Sequence, residues 1–253
     1  MVFNPFSLTG KTILVTGASS GIGRQCAIDC SRGGAKIVLI GRNEDRLKET
    51  LSNLQEGTGI YFIMDLSDTE QIRAGIEQII QKVGKIDGLI HAAGIEKTTP
   101  VKYTKLSDYE NVYRTNAISG FEIIRLLASN KVSNDSASFI LIASITGIIG
   151  RAGVVSYAAS KGAMIAAART MAQEFAGRKI RVNCISPGTI LTPMMTEYLE
   201  SLTEDQKKKR LEGFLLGLGS TEDVSNTCIY LLSDASRWVT GQNLIVDGGY
   251  TAV

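Results

Sequence analysis

Tyr157 and Lys161 stand four residues apart in the run Y-A-A-S-K, the spacing that puts two side chains on one face of a helix. A phenol with a pKa near 10 is a poor base at neutral pH. A positive charge about 4 Å away, at an effective dielectric near 20, is worth roughly 4 kcal/mol, or about three pKa units. Desolvation opposes part of that gain. The pair therefore suits transfer of a hydroxyl proton, with Lys161 tuning the Tyr157 phenol. Such spacings are common on helices, and a plain surface pair is the alternative. Ser144 closes the apolar run F-I-L-I-A-S. A hydroxyl at the carboxyl end of a strand lies where open α/β sheets bind ligands; a cap or loop residue is the plain alternative.

A second chemical feature lies near the start of the chain, in T-G-A-S-S-G-I-G from Thr16 to Gly23. The glycines follow the pattern G-x-x-x-G-x-G, which differs from the commoner G-x-G-x-x-G. The physics carries over: glycines let the backbone turn tightly beside a pyrophosphate, and a helix N-terminus supplies free N–H groups and partial positive charge. The loop predicts a nucleotide site formed by Gly17, Ser19, Ser20, Gly21, Ile22 and Gly23.

The elements that must position these residues alternate along the chain. Continuous apolar runs at 11–16, 36–41, 60–64, 86–91, 138–143, 180–185 and 243–246 read as strands covered on both faces. Helical periodicity occupies 22–32, 44–54, 69–83, 108–130, 157–176 and 222–232. Ser67 opens S-D-T-E and Ser220 opens S-T-E-D, both of capping-box form. Alternation of this kind predicts an α/β chain with a doubly wound parallel sheet of about seven strands and helices on both faces. Residues 188–219 break the alternation and predict a helical lid over the site of a single domain.

Bulk properties exclude several classes. A chain of 253 residues with 44% hydrophobic and 21% charged residues is ordinary for a globular protein. A formal net charge of +2 points to no nucleic-acid partner. The basic run from Lys207 to Arg210 sits among Glu204, Asp205 and Glu212 and reads as a solvated helix face. No apolar run reaches the length of a membrane span, and residues 1–11 lack the form of a secretory signal. Cys26, Cys30, Cys184 and Cys228 have no metal-ligand spacing and read as free thiols of a cytoplasmic protein. The single histidine, His91, excludes a multi-histidine metal site, and no metal is expected.

Taken in order, the motifs resemble the short-chain dehydrogenase/reductase family, in its single-domain branch of about 250 residues. The glycine loop, Ala92-Ala93-Gly94, Asn116, Ser144, Tyr157-x-x-x-Lys161, Arg181-Val182-Asn183, Pro187-Gly188 and Asp247-Gly248-Gly249 together span nearly the whole chain. The resemblance implies a Rossmann-type fold and an oxidoreductase that interconverts a carbonyl and a secondary alcohol by hydride transfer. It implies a tetrad in which Tyr157 is the acid/base, Ser144 polarises the substrate oxygen, Lys161 also holds the nicotinamide ribose, and Asn116 supports a water-linked proton path. By the same analogy Asp65 and Leu66 meet the adenine, Ala92, Ala93 and Gly94 pass beside the adenosine, and Pro187, Gly188, Thr189 and Thr192 approach the carboxamide end. A homotetramer built from long helices and the C-terminal strand is also implied, and Tyr250–Val253 does end apolar.

The cofactor preference follows from the end of the second strand. A carboxylate there would bind the ribose hydroxyls and repel a 2′-phosphate. This chain has Gly41 followed by Arg42, which removes the repulsion and offers a guanidinium fork, so NADP(H) is expected over NAD. His91 stands where the family usually has asparagine; a structural hydrogen-bonding role is the expectation, and an extra acid/base the alternative. Met194, Met195 and Tyr198 either line a substrate pocket or pack a helix. The stretch 130–136 lacks the arginine that acyl-carrier-protein ketoreductases tend to carry nearby. Two other classes compete: a non-catalytic NADP(H) sensor that binds protein partners, and a sugar-nucleotide epimerase or dehydratase, which the glycine spacing and chain length disfavour.

Overall fold

The computed structural model describes residues 4–200 and 202–252. Seven strands form one parallel sheet in the order β3-β2-β1-β4-β5-β6-β7. They are β1 (Thr12–Thr16), β2 (Lys36–Gly41), β3 (Gly59–Ile63), β4 (Ile86–His91), β5 (Ser133–Ile142), β6 (Arg181–Pro187) and β7 (Asn243–Val246). Successive side chains on a strand point to opposite faces. Ile13, Val15, Ile37 and Leu39 accordingly pack one way, against Cys26, Ala27 and Cys30 of α1 (Gly21–Arg32) and Val224 and Leu231 of α9 (Thr221–Leu232). Leu14, Val38, Ile40, Leu89 and Phe139 pack the other way. Their partners are Ile72 and Ile76 of α3 (Thr69–Val83), Ile123 and Leu127 of α5 (Ser119–Leu127), and Met164 and Ala168 of α6 (Val155–Glu174). Both faces of the central strands are covered, which is why those strands read as unbroken apolar runs, while the edge strands β3 and β7 stay partly open.

β1 pairs with β2 on one side and with β4 on the other. The strand order reverses there, and open α/β sheets bind ligands at the carboxyl ends of the strands at that reversal. α2 (Glu44–Ser52) connects β2 to β3 on the flank of this crevice. Between β6 and α9 the expected interruption contains two helices, α7 (Pro193–Glu200) and α8 (Glu204–Leu211). No described helix is long and apolar enough to cross a membrane.

Three local expectations change. The helix anticipated over 108–130 is α4 (Leu106–Tyr113), a π-helical turn (Arg114–Ile118) and α5. The turn exists because side chains capture its carbonyls: Ser119 Oγ donates to the Thr115 carbonyl at 2.6 Å, and His91 Nε2 meets the Asn116 carbonyl at 3.0 Å. β5 begins at Ser133 rather than at 138, because Ser133 already pairs with Ile86 before the register shifts. The polar residues between, with Ser136 at φ 63°, carry no apolar signal. Asp68, not Ser67, caps α3, accepting from the Glu70 and Gln71 amides at 3.0 and 3.3 Å. A carboxylate also suits the positive end of the helix dipole, while Ser67 donates its hydroxyl to Asp65 instead. Ser220 does cap α9, with Asp223 completing the reciprocal box.

Candidate active site

The glycine loop is built by close backbone contact. A Cβ on Gly23 would stand 2.4 Å from the Gly17 carbonyl oxygen, and one on Gly17 would stand 2.8 Å from the Ala93 amide nitrogen. Gly17 and Gly21 have φ of 65° and 53°, where any other residue is strained. Arg24 locks the loop, donating to the Ser19 carbonyl at 2.8 Å while its guanidinium forks onto Glu49. Ser20 caps α1 without a side-chain hydrogen bond. The first N–H groups of a helix need an outside acceptor, and here they face a cleft, which suits a pyrophosphate.

That cleft has a volume of about 940 Å³. Of the residues expected at the nucleotide, Gly17, Ser19, Ser20, Gly21, Ile22, Gly23, Arg42, Asp65, Leu66, Ala92, Ala93, Gly94 and Thr192 line it. Tyr157, Lys161, Pro187, Gly188 and Thr189, also expected there, are not among its lining residues. Pro187 pairs with Val246 at the end of β6, and Gly188 packs so tightly that a Cβ would meet the Asp247 Cα at 2.8 Å. Thr189 lines a separate hollow of about 370 Å³ with Gly217, Gly219 and Gly248. The cleft also takes in Asn43, Arg46, Ile95, Thr115 and Glu197, which sequence reasoning missed. Arg46 had a signal, a second guanidinium in the first turn of α2, four residues after Arg42. Arg42 and Arg46 belong to no ion pair among the described residues, whereas Arg24 is bound to Glu49. Asp65, held low in pKa by the Ser67 backbone N–H, feels the charge of Arg42 as well.

Gly94 joins the cleft to the tetrad. A Cβ there would lie 3.3 Å from Asn116 Oδ1 and 3.5 Å from Lys161 Nζ, so both groups stand directly behind the cleft wall. Asn116 is fully engaged: Oδ1 accepts from the Ile95 amide at 2.8 Å, and Nδ2 donates to the Ile95 carbonyl and to Ser160 Oγ, each at 3.0 Å. Lys161 Nζ donates to the Ile142 carbonyl at 2.7 Å and lies 5.5 Å from the centre of the Tyr157 ring. Ser144 Oγ accepts from the Thr146 amide at 3.2 Å and from Thr146 Oγ1 at 3.0 Å. With its lone pairs so occupied, the Ser144 proton is free to be donated, and its hydrogen bond favours the ionised Tyr157 phenol.

The electrostatics depart from the simple picture of a lysine lowering a tyrosine. Burial, then the negative charge of Glu96, push Tyr157 up to about 12, against the Ser144 hydrogen bond and the Arg151 charge. Burial pushes Lys161 down to about 8. Lys161 is not among the groups that move the phenol, because its ammonium bonds the Ile142 carbonyl rather than Tyr157. At neutral pH the group stands as a neutral phenol beside an ammonium, an arrangement suited to giving a proton.

His91 is buried and held neutral, with burial lowering its pKa to about 4. The Asn116 carbonyl can only accept, so His91 Nε2 carries the proton and donates to it. Nδ1 then accepts from Thr16 Oγ1 at 2.9 Å, and Thr16 Oγ1 accepts from the Ala93 amide at 3.2 Å. The imidazole thus ties the end of β1 to the π turn, the structural role expected of it. The side chains of Met194, Tyr198, Lys209 and Arg210, and Val253, lie outside the described residues.

Residues 17–251 match the family model described as enoyl-(acyl carrier protein) reductase. The chain is 34% identical to 3-oxoacyl-[acyl-carrier-protein] reductase FabG of Thermotoga maritima, over 96% of this chain and 98% of that one. It is 32% identical to a glucose 1-dehydrogenase of Gluconobacter oxydans, over 96% and 92% respectively. The solved structure of 7α-hydroxysteroid dehydrogenase with NADH and 7-oxo glycochenodeoxycholic acid superposes with a TM-score of 0.90 at 30% identity, covering 98% of each chain. With sheet order, glycine loop and family model in agreement, the chain belongs to the short-chain dehydrogenase/reductase family and is an oxidoreductase of that family.

Proposed function

We propose that this oxidoreductase uses NADP(H) and reduces a carbonyl to a secondary alcohol, with Tyr157 as the proton donor. The observation that carries this reading is the continuity of the site through Gly94. At one end of the cleft, beside Gly41, stand the guanidinium groups of Arg42 and Arg46, in no ion pair among the described residues. Behind the wall near Gly94 stand Asn116 and Lys161, with Tyr157 and Ser144 alongside. Gly41 brings no carboxylate to the place where one would repel a 2′-phosphate, and a Cβ there would already stand 3.2 Å from Leu47 Cδ2.

In this reading Arg42 and Arg46 hold the 2′-phosphate, the start of α1 holds the pyrophosphate, and Lys161 holds the nicotinamide ribose. Bound NADPH supplies the hydride. Ser144 turns its hydroxyl proton from the Tyr157 oxygen toward the substrate oxygen and polarises the carbonyl. Tyr157, protonated at neutral pH, hands its proton to the oxygen as negative charge develops there. The ammonium of Lys161 favours the phenolate that results. Asn116 orients the Ile95 backbone on the proton path. Helices α7 and α8 serve as the lid of a single-domain enzyme. We take the assembly to be a homotetramer, and the exposed apolar residues before α4 (Val101, Tyr103), at its start (Leu106) and around β7 (Leu216, Trp238, Ile245) are surfaces it would cover. Its setting is the cytoplasm, whose reducing poise suits four buried free thiols.

The test is turnover of purified protein with NADPH or NADH against ketones, sugars and acyl thioesters. NADPH-dependent reduction supports the proposal. Tight NADPH binding without turnover of any carbonyl would mark a nucleotide sensor.

A further inference from the structure

Arg24 divides its guanidinium between two partners behind the glycine loop. Nη2 donates to the Ser19 carbonyl and to Glu49 Oε2, each at 2.8 Å, and Nη1 donates to Glu49 Oε1 at 2.7 Å. Thr50, next to Glu49 in α2, donates its hydroxyl to the Ala18 carbonyl at 2.9 Å. The later half of α2 is thereby tied to the loop at two successive carbonyls. The first turn of the same helix carries Arg46, which lines the cofactor cleft, whereas Arg24, Glu49 and Thr50 do not.

Glu49 follows Arg46 by three residues on α2, a spacing at which side chains are neighbours and opposite charges pair. Yet Arg46 is in no ion pair among the described residues, while both Glu49 oxygens are taken by Arg24. Of the other carboxylates in α2, Glu44 is held by Lys48 at 2.9 Å and accepts from the Tyr61 hydroxyl at 3.0 Å. Asp45 adjoins Arg46 in sequence, and adjacent helix positions do not face each other. The Arg24 guanidinium holds the Glu49 carboxyl below its usual pKa, and the charge of Arg46 is felt there as well.

Resting on the NADP(H) reading given above, we propose that Arg24 is a positioning residue for cofactor choice: by holding Glu49 it keeps that carboxylate off Arg46 and leaves the Arg46 guanidinium to the 2′-phosphate. Without Arg24 the carboxylate is released one helical turn from Arg46. It then pairs with that guanidinium in the cofactor-free protein and repels the phosphate in the complex. Both effects weaken NADPH, and neither reaches NADH, which has a hydroxyl at that place. The hydrogen bond from Arg24 to Ser19 acts differently. It shapes the loop around the pyrophosphate, which the two cofactors share, so its loss weakens both alike. Comparing the cofactors therefore separates the two contributions.

The experiment is equilibrium binding of NADPH and NADH, followed by fluorescence of the reduced nicotinamide. The proteins are wild type, Arg24→Gln, Glu49→Gln, Arg46→Ala, and the double variants Arg24→Gln/Glu49→Gln and Arg24→Gln/Arg46→Ala. What is read is the ratio of the Kd for NADH to that for NADPH. Glu49 is 57% exposed, so Arg24→Gln should lower the ratio by about three- to fivefold, the upper worth of one exposed ion pair. Adding Glu49→Gln should restore it, since no carboxylate is left to capture Arg46. In the Arg46→Ala background the Arg24 substitution should not change the ratio further. Glu49→Gln alone keeps the hold of Arg24 on Ser19 and should not lower the ratio; a fall there overturns the proposal even if Arg24→Gln does not fold. Equal losses for both cofactors in Arg24→Gln, or a ratio that Glu49→Gln fails to restore, also overturn it and make Arg24 a clasp of the loop alone. Wild-type protein that binds NADPH no more tightly than NADH, with Arg46→Ala leaving both unchanged, sinks the NADP(H) reading beneath it.

Discussion

At the scale of single residues, proton transfer turns on which groups hold their protons near neutral pH. Lys161, near 8, is charged below that pH and loses its charge above it, whereas Tyr157, near 12, stays protonated across the whole range. Carbonyl reduction at saturating NADPH should therefore be level through neutrality and decline with a midpoint near 8. Lys161→Arg should move that decline upward, and a profile with no fall in this region would separate the ammonium from catalysis. His91 makes a stability prediction. Its folded pKa is about 4 against about 6.5 unfolded, so between those values the unfolded chain binds the extra proton. Stability is full above about 6.5 and is lost as pH falls toward 4, by about 3 kcal/mol. Urea unfolding should show this slope, and His91→Asn should flatten it. Arg42→Ala and Arg46→Ala should each raise the Kd for NADPH about ten- to a hundredfold and that for NADH far less; equal losses would contradict the cofactor assignment. The sequence pointed to Arg42 and to Asn116, Ser144, Tyr157 and Lys161 as candidates, but not to the balance between burial and charge at Tyr157. That balance depends on where the Lys161 ammonium points, which spacing along a helix does not reveal.

At the scale of elements, strands and most helices were legible because two-sided burial writes an unbroken apolar run into the sequence. What stayed hidden was decided by side chains bonding backbone out of register. The π turn carrying Asn116 needs Ser119 and His91 to hold its carbonyls, and those partners are distant or ambiguous in sequence. The early start of β5 passes through polar residues around Ser136. At α3 two capping residues were adjacent, and the one chosen was the carboxylate. Asp68→Ala should cost about 1 kcal/mol, a fall in Tm of about 2–4 °C for a chain of this size. Ser67→Ala should leave Tm closer to wild type and instead loosen Asp65, which lines the cleft. Thermal unfolding of the two variants checks the assignment; the reverse ranking would restore the cap to Ser67.

At the scale of the whole molecule, the reversal of strand order beside β1 sets the crevice, and the tetrad follows because β4, β5, the π turn and α6 converge there. The apolar groups left in solvent are a different signal, since Trp238 is 92% exposed and Leu216 86%. Trp238→Asp should give a smaller species than wild type in analytical ultracentrifugation, and a monomeric wild type would remove the tetramer. The central claim is that Tyr157 gives the proton while hydride passes to the substrate. Single-turnover hydride transfer in Tyr157→Phe, with NADPH binding measured alongside, tests it most directly. NADPH affinity should stay near that of wild type while hydride transfer slows by about a hundred- to ten-thousandfold; transfer at nearly the wild-type rate would mean that the proton comes from another group.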